Sequence, residues 1–181
     1  MTTRRRVFLA LWPDPATRTQ LDRLARTLTG PGRPVPQAHL HLTLAFAGSV
    51  PAEQADCLAT HIHALHHEPI ALTLDRLGHF TRARVTWAGP GQPPGELAQL
   101  AQQARELCQH CGIELPPAPF RPHITLRRQA LPPPHEALDP PVQWSADTVV
   151  LVESGQDGHP GPYRVIASTG MEHQPPSSPT P

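Results

Sequence analysis

Two tetrapeptides of one design, His41-Leu42-Thr43-Leu44 and His123-Ile124-Thr125-Leu126, constrain this chain more than any other feature. Each alternates polar and apolar, the period of a half-buried β-strand. His41 and Thr43 therefore point to one face, and Leu42 and Leu44 to the other. The second copy opposes His123 and Thr125 to Ile124 and Leu126 in the same way. Two such strands brought together put two imidazoles and two hydroxyls around one small space. That set suits acid–base chemistry on a phosphate, with two proton-transfer groups and two neutral donors for the oxygens. A lone His-Leu-Thr-Leu is an ordinary strand; the second copy, with equal parity, gives the pattern chemical meaning.

A length of 181 residues suits one domain or two small fused lobes. Hydrophobic residues at 38% support a core, and 25 prolines imply many turns. A formal net charge of +0 excludes a polycation, so any nucleic-acid contact must be local. The cationic residues are all arginine, with no lysine and no asparagine. Arginine suits bidentate phosphate recognition. The missing asparagine has no phosphate explanation, so the codon bias of a GC-rich genome accounts for both gaps better. Three cysteines, Cys57, Cys108 and Cys111, form no disulfide framework and fit a reducing compartment. Cys108 and Cys111 lie late in a helical pattern and read as small core-facing residues, since no second pair completes a zinc site. Arg4-Arg5-Arg6 before a short apolar run resembles a signal start, but the run is too short for a membrane span. A first strand is the better reading, and a cytoplasmic protein without membrane contact is expected.

Residues 6–12 read as a strand. Asp14 as N-cap and Pro15 at the first helical position start a helix that Gly30 ends. The first motif strand runs through Phe46 to Gly48. A second helix is predicted from Pro51 to about His67, then strands over Ile70–Gly78 and Arg84–Ala88. A third helix carries Leu97, Leu100, Ala101, Ala104, Leu107 and Cys108 on one stripe and ends at Gly112. The second motif follows, then a Pro-rich loop over 129–141, and strands near Val142–Val152 and Tyr163–Ser168. This order predicts an α+β fold of two pseudo-symmetric lobes: two antiparallel sheets facing a central cleft, with helices outside. Residues 1–173 form the expected single bilobal domain, and the Pro-rich tail 174–181 is expected to be disordered. His61, His63, His66 and His67 crowd one helix; His63 and His67 have a metal-binding spacing but no obvious third ligand, so a solvated face is expected. His39 shares the strand parity of His41.

The paired motifs are the defining feature of the two-histidine (2H) phosphoesterases, and the chain resembles the bacterial RNA 2′,3′-cyclic phosphodiesterases, historically named 2′-5′ RNA ligases. The resemblance extends to Val7-Phe8-Leu9-Ala10-Leu11, Leu40 through Gly48, Gly78-His79-Phe80 with Arg84-Val85-Thr86-Trp87, Phe120 through Leu126, and Glu153-Ser154 with Gly161-Pro162-Tyr163. It covers about residues 5–170.

Opening a 2′,3′-cyclic phosphate with water needs a base for the water and an acid for the leaving ribose oxygen. Histidine, with an unperturbed pKa of about 6.5, can do either near neutral pH. The resemblance implies His41 as acid toward the 3′ oxygen, His123 as base, and a 2′-phosphate product. Thr43 and Thr125 would hold the non-bridging oxygens. An arginine five positions after the second histidine would be Arg128, whereas strand alternation favours Arg127, so both stand as phosphate ligands. Candidates for holding the RNA are Phe8, Phe80, Arg84 and Arg121, with Arg82 beside them; Trp87 reads as core and Tyr163 as structural. No cofactor or metal is expected, because no acidic residue lies between His39 and Val50 or between Pro116 and Pro134. The expected partners are RNA with a 2′,3′-cyclic phosphate or 2′-5′ linkage and small cyclic nucleotides, acted on by a monomer. The alternatives are 2′-5′ ligation by the reverse chemistry and a nucleotide-binding module without turnover, the latter disfavoured by two intact motifs.

Overall fold

The computed structural model describes residues 3–155 and 161–170. The predicted tail, 174–181, lies outside them. Strand β1 (Arg4–Leu11) is buried from Val7 onward, as a run of five consecutive apolar residues requires. Helix α1 (Pro15–Thr27) starts where expected: Asp14 accepts hydrogen bonds from the Thr17 N–H at 2.9 Å and the Thr17 hydroxyl at 2.7 Å. A two-residue strand β2 (Arg33–Pro34) and a single 3-10 turn lead into β3 (Leu42–Pro51). Then come α2 (Ala52–His61), β4 (Ile70–Phe80), β5 (Val85–Gly89), α3 (Gly95–His110), β6 (Ile124–Arg128), β7 (Ala137–Ala146), β8 (Val149–Ser154) and β9 (Tyr163–Ser168). The predicted stripe of α3 is buried throughout.

The strands are antiparallel in the order β7-β4-β5-β6-β3-β1-β8-β9, with β2 paired to β6. The expected two sheets are thus the halves of one. They meet at the centre, where a single residue pair, Leu42 opposite Ile124, joins β3 to β6. Two of the helices cross this seam: α1 leaves β1 and packs on β6 and β7, while α3 leaves β5 and packs on β3. One hydrophobic core runs through both halves and includes Leu9, Leu42, Leu72, Leu100 and Ile124. Among the described residues no helix is long and apolar enough to cross a membrane.

Three expectations change. Helix α2 stops at His61 and becomes a 3-10 turn, Ile62–Leu65, that buries Ile62 and Leu65 at their three-residue spacing. His63 and His67 therefore do not share a helical face, and the His67 ring lies instead against the carbonyl oxygens of Leu65 and Ala146. The Pro-rich loop ends earlier than predicted, because β7 begins at Ala137 and contains Pro140 and Pro141. It is an edge strand, where a missing N–H leaves no ladder bond unmade. Finally, Cys57 and Cys111 are disulfide-bonded and tie α2 to the end of α3, while Cys108 is a buried free thiol. Helix packing joins residues 54 positions apart, which spacing alone did not reveal.

Gly78 sits opposite Trp87 across β4 and β5, and a Cβ on it would overlap the indole ring. Gly78→Ala is expected to cost about 1–3 kcal/mol, an overpacking penalty measurable by urea unfolding with Trp fluorescence as the probe.

Candidate active site

Both motif strands carry a β-bulge just after the threonine. The β1–β3 register passes from Ala10 opposite Thr43 to Leu9 opposite Ala45, leaving Leu44 unpaired. The β5–β6 register passes from Trp87 opposite Thr125 to Thr86 opposite Arg127, leaving Leu126 unpaired. An extra residue reverses the alternation beyond it. The two strands consequently share one burial sequence. Leu42, Leu44 and Ala45 are buried around a half-buried Thr43, and Phe46 is exposed. Ile124, Leu126 and Arg127 are buried around a half-buried Thr125, and Arg128 is exposed.

The seam fixes how the motifs face each other. With Leu42 opposite Ile124, antiparallel register sets His41 across from Thr125 and Thr43 across from His123. All four share the side opposite the core-facing Leu42 and Ile124. The imidazoles are held alike. His41 Nδ1 lies 2.7 Å from the His39 carbonyl oxygen, and His123 Nδ1 lies 2.7 Å from that of Arg121. A carbonyl only accepts, so each Nδ1 carries its proton and each Nε2 is the nitrogen free for chemistry. His41 Nε2 is 3.0 Å from the Thr43 hydroxyl oxygen.

Aromatic rings enclose both imidazoles. Phe8 lies 4.7 Å from His41 between ring centroids, with Tyr163 at 5.6 Å and Trp12 at 6.2 Å. Phe80 lies 4.8 Å from His123, with Trp87 at 6.2 Å. Burial among these rings disfavours the imidazolium. His41 is pushed down to about 4, mainly by burial and further by the positive charges of Arg128 and Arg18, against the opposing pull of the His39 carbonyl. His123 is lowered for the same first reason, with the Arg121 carbonyl opposing.

A cleft of about 880 Å³ opens beside His123. Thr43 and Phe46 from β3, Phe80 from the end of β4, Arg82 from the β4–β5 turn, Gln102 and Arg105 from α3, and Arg121 contribute to its walls. A smaller recess of about 330 Å³, lined by Arg33, His39, Arg128 and Tyr163 among others, flanks the His41 side. Anionic ligands thus meet guanidinium groups on several sides, with two neutral imidazoles between them.

The sequence-based candidates divide. His41, Thr43, His123 and Thr125 converge, and Phe80 and Arg121 line the cleft. Arg127 lies away from the histidine side, buried behind the sheet. The bulge at Leu126 turns it away, and its guanidinium donates to the Ala25 carbonyl at 3.0 Å and the Gly30 and Gly32 carbonyls at 3.2 and 3.0 Å. Arg128, on the histidine side, keeps an exposed side chain near enough to His41 to bias its protonation. Phe8 offers no face to a base: it is 2% exposed and packed on His41 and Tyr163. Arg84 is exposed at a positive φ of 54° in the β4–β5 turn, outside the residues that line the cleft, where Arg82 stands instead. Gln102, Arg105 and Phe46 were missed. The sequence marked only the apolar stripe of α3 and gave its polar face no role, and only the bulge brings Phe46 to the histidine side.

Comparison with known proteins gives a consistent result. The family described as the 2′-5′ RNA ligase superfamily matches residues 12–158. The RNA 2′,3′-cyclic phosphodiesterase of Escherichia coli is 39% identical over 141 residues, 74% of this chain and 80% of that protein. The protein of the same name from Thermus thermophilus is 34% identical over 166 residues, 82% of this chain and 81% of that protein. The crystal structure of E. coli LigT in its apo form superposes with a TM-score of 0.76 at 33% identity, covering 92% of this chain and 96% of that one.

The lowered His41 sets a pH dependence of stability. Between about 4 and 6.5 the unfolded chain binds a proton at His41 that the folded chain refuses, so stability rises with pH across that window. The contribution is complete above about 6.5 and lost below about 4. His41→Phe is expected to flatten this part of the curve, leaving the His123 contribution of the same sign, as read from urea midpoints between about pH 4 and 7.

Proposed function

The chain belongs to the 2′-5′ RNA ligase superfamily, and from that membership we propose that it hydrolyses RNA 2′,3′-cyclic phosphate ends to 2′-phosphomonoesters, with His41 and His123 as the acid–base pair. The observation that carries this is the matched presentation of two Nε2 atoms. Each belongs to an imidazole clamped at Nδ1 by the carbonyl two residues earlier, and the seam sets the two motifs face to face.

In the step proposed, water gives a proton to His123 Nε2 as its oxygen attacks phosphorus. The bond from phosphorus to the 3′ oxygen breaks, and that oxygen takes the proton from His41 Nε2. The products are a 2′-phosphomonoester and a free 3′-hydroxyl, and the net proton count is unchanged. Thr43 and Thr125 donate to the non-bridging oxygens, and Arg128 balances their charge from the His41 side. His123 is neutral near pH 7, as a base must be. His41 must arrive protonated, and the anionic phosphate supplies the reason: its negative charge beside the imidazole raises the His41 pKa in the complex. The remaining RNA lies along the larger cleft, with the terminal base on Phe80 and preceding phosphates near Arg82, Arg105 and Arg121. Small cyclic nucleotides carry the same reacting group and fit the same pair of motifs. The protein acts as a monomer in this reading: among the described residues the exposed large hydrophobic side chains are Phe46 and Leu131, too few for a stable apolar interface.

His41→Ala and His123→Ala are each expected to lower kcat by about 10²–10⁴-fold on a cyclic-phosphate oligonucleotide, with excess chelator changing nothing. Replacing the ribose leaving oxygen with a nitrophenolate, which needs no proton, should restore most activity to His41→Ala and none to His123→Ala. Phosphorus NMR should show a 2′-phosphate, and a 3′-phosphate would refute the choice of leaving oxygen. Because kcat/KM reports the free enzyme and kcat the complex, the kcat/KM profile should fall through the neutral range while the kcat profile lies at higher pH.

A further inference from the structure

A second cluster of reactive side chains lies where the last turn of α2 meets the end of α3. It comprises Cys57, His61, His110 and Cys111, none of which lines the cleft. The ligand atoms of Cys57, His61 and Cys111 all fall within 4.8 Å of one another, and Cys57 Sγ is 3.8 Å from His61 Nδ1. The His110 ring meets the His61 ring edge-on, 5.2 Å between centroids. A tetrahedral zinc site with Zn–S near 2.3 Å and Zn–N near 2.0–2.1 Å sets its ligand atoms roughly 3.4–3.8 Å apart. The cluster already approaches that spacing. What closes it to a cation is the bond between Cys57 and Cys111.

We propose that reduction of the Cys57–Cys111 disulfide creates a zinc-class metal site, with both thiolates and His61 as ligands and His110 closing the fourth position. A dithiol reductant exchanges with the protein disulfide, giving two cysteine thiols and the oxidised dithiol. A divalent cation then displaces the two thiol protons and forms two metal–sulfur bonds. His61 Nδ1 now donates to the Cys57 carbonyl at 2.9 Å. Shifting that proton to Nε2 frees the Nδ1 lone pair, and turning the ring away from the carbonyl presents it to a metal beside the sulfur it already adjoins. Cys57 and His61 are half-buried and His110 is exposed, so reductant and metal have access. Cys108, although it forms a C-x-x-C with Cys111, is not part of the set. It is fully buried, and its sulfur is not among the ligand atoms gathered with Cys57 and His61. The disulfide and the metal are then alternative ties between the same two helices, one for each redox condition.

Titration of the reduced protein with Co²⁺ tests this without reference to turnover. The expected result is one ion per chain, with the thiolate charge-transfer band and the strong visible bands of tetrahedral cobalt, displaced by one equivalent of Zn²⁺. The disulfide form should show neither. Cys57→Ser, Cys111→Ser and His61→Ala should each weaken binding at least tenfold, and His110→Ala should reduce the tetrahedral bands. Cys108→Ser should leave the spectrum intact. His61→Ala keeps both cysteines, so its oxidised form, checked by circular dichroism, separates loss of a ligand from loss of folding. No charge-transfer band in the reduced wild type, an equal band in the oxidised protein, or loss of the band in Cys108→Ser would overturn the site. An unchanged spectrum in His110→Ala would overturn the fourth ligand.

Discussion

The pairing of Leu42 with Ile124 is the contact on which the rest of this molecule depends. It is the one backbone pair that joins β3 to β6, and through it a five-stranded and a four-stranded half become a single sheet. A strand pairing has a side-chain period of two, so a slip by one residue would invert every side chain on one half. Both partners of the pair are fully buried, which ties its register to the core. So brief a seam is held from outside. Helix α1 crosses to β6, α3 crosses to β3, and Arg127 fastens β6 to three carbonyls at and beyond the end of α1. The face that carries the histidines is thus supported by packing on the reverse side of the sheet.

The same economy governs the electrostatics. An imidazole in water holds its proton below about 6.5. Rings of Phe, Trp and Tyr around His41, and of Phe and Trp around His123, exclude enough water to keep both neutral in the unliganded protein. Neutral imidazoles between arginines leave the cleft positive without an internal clash of like charges. An arriving anion then changes the protonation of the site as it binds.

Much of this was legible in the sequence. Alternation of apolar and polar residues gave the two motif strands, Asp14-Pro15 the start of α1, and the stripe from Leu97 to Cys108 the buried face of α3. What was not legible shares one physical character: it depends on residues distant in the chain. Period-two alternation assigns Arg127 to the histidine side, and only the partner strand shows the bulge that hands the position to Arg128. Phe8 has the composition of a stacking platform, but its ring is covered by the fold. Prolines 140 and 141 read as a loop until the strand that holds them proves to be at an edge. The bond between Cys57 and Cys111 follows from helix packing that no spacing rule encodes.

The two bulges leave one difference between otherwise matched strands. Past each threonine the same step brings a side chain out beside the histidines: Phe46 on one strand, Arg128 on the other. A socket with true twofold symmetry would accept a ligand in either orientation. Exchanging one charged group for one ring gives this socket a head and a tail, so a polymer end entering it has a single direction in which to lie.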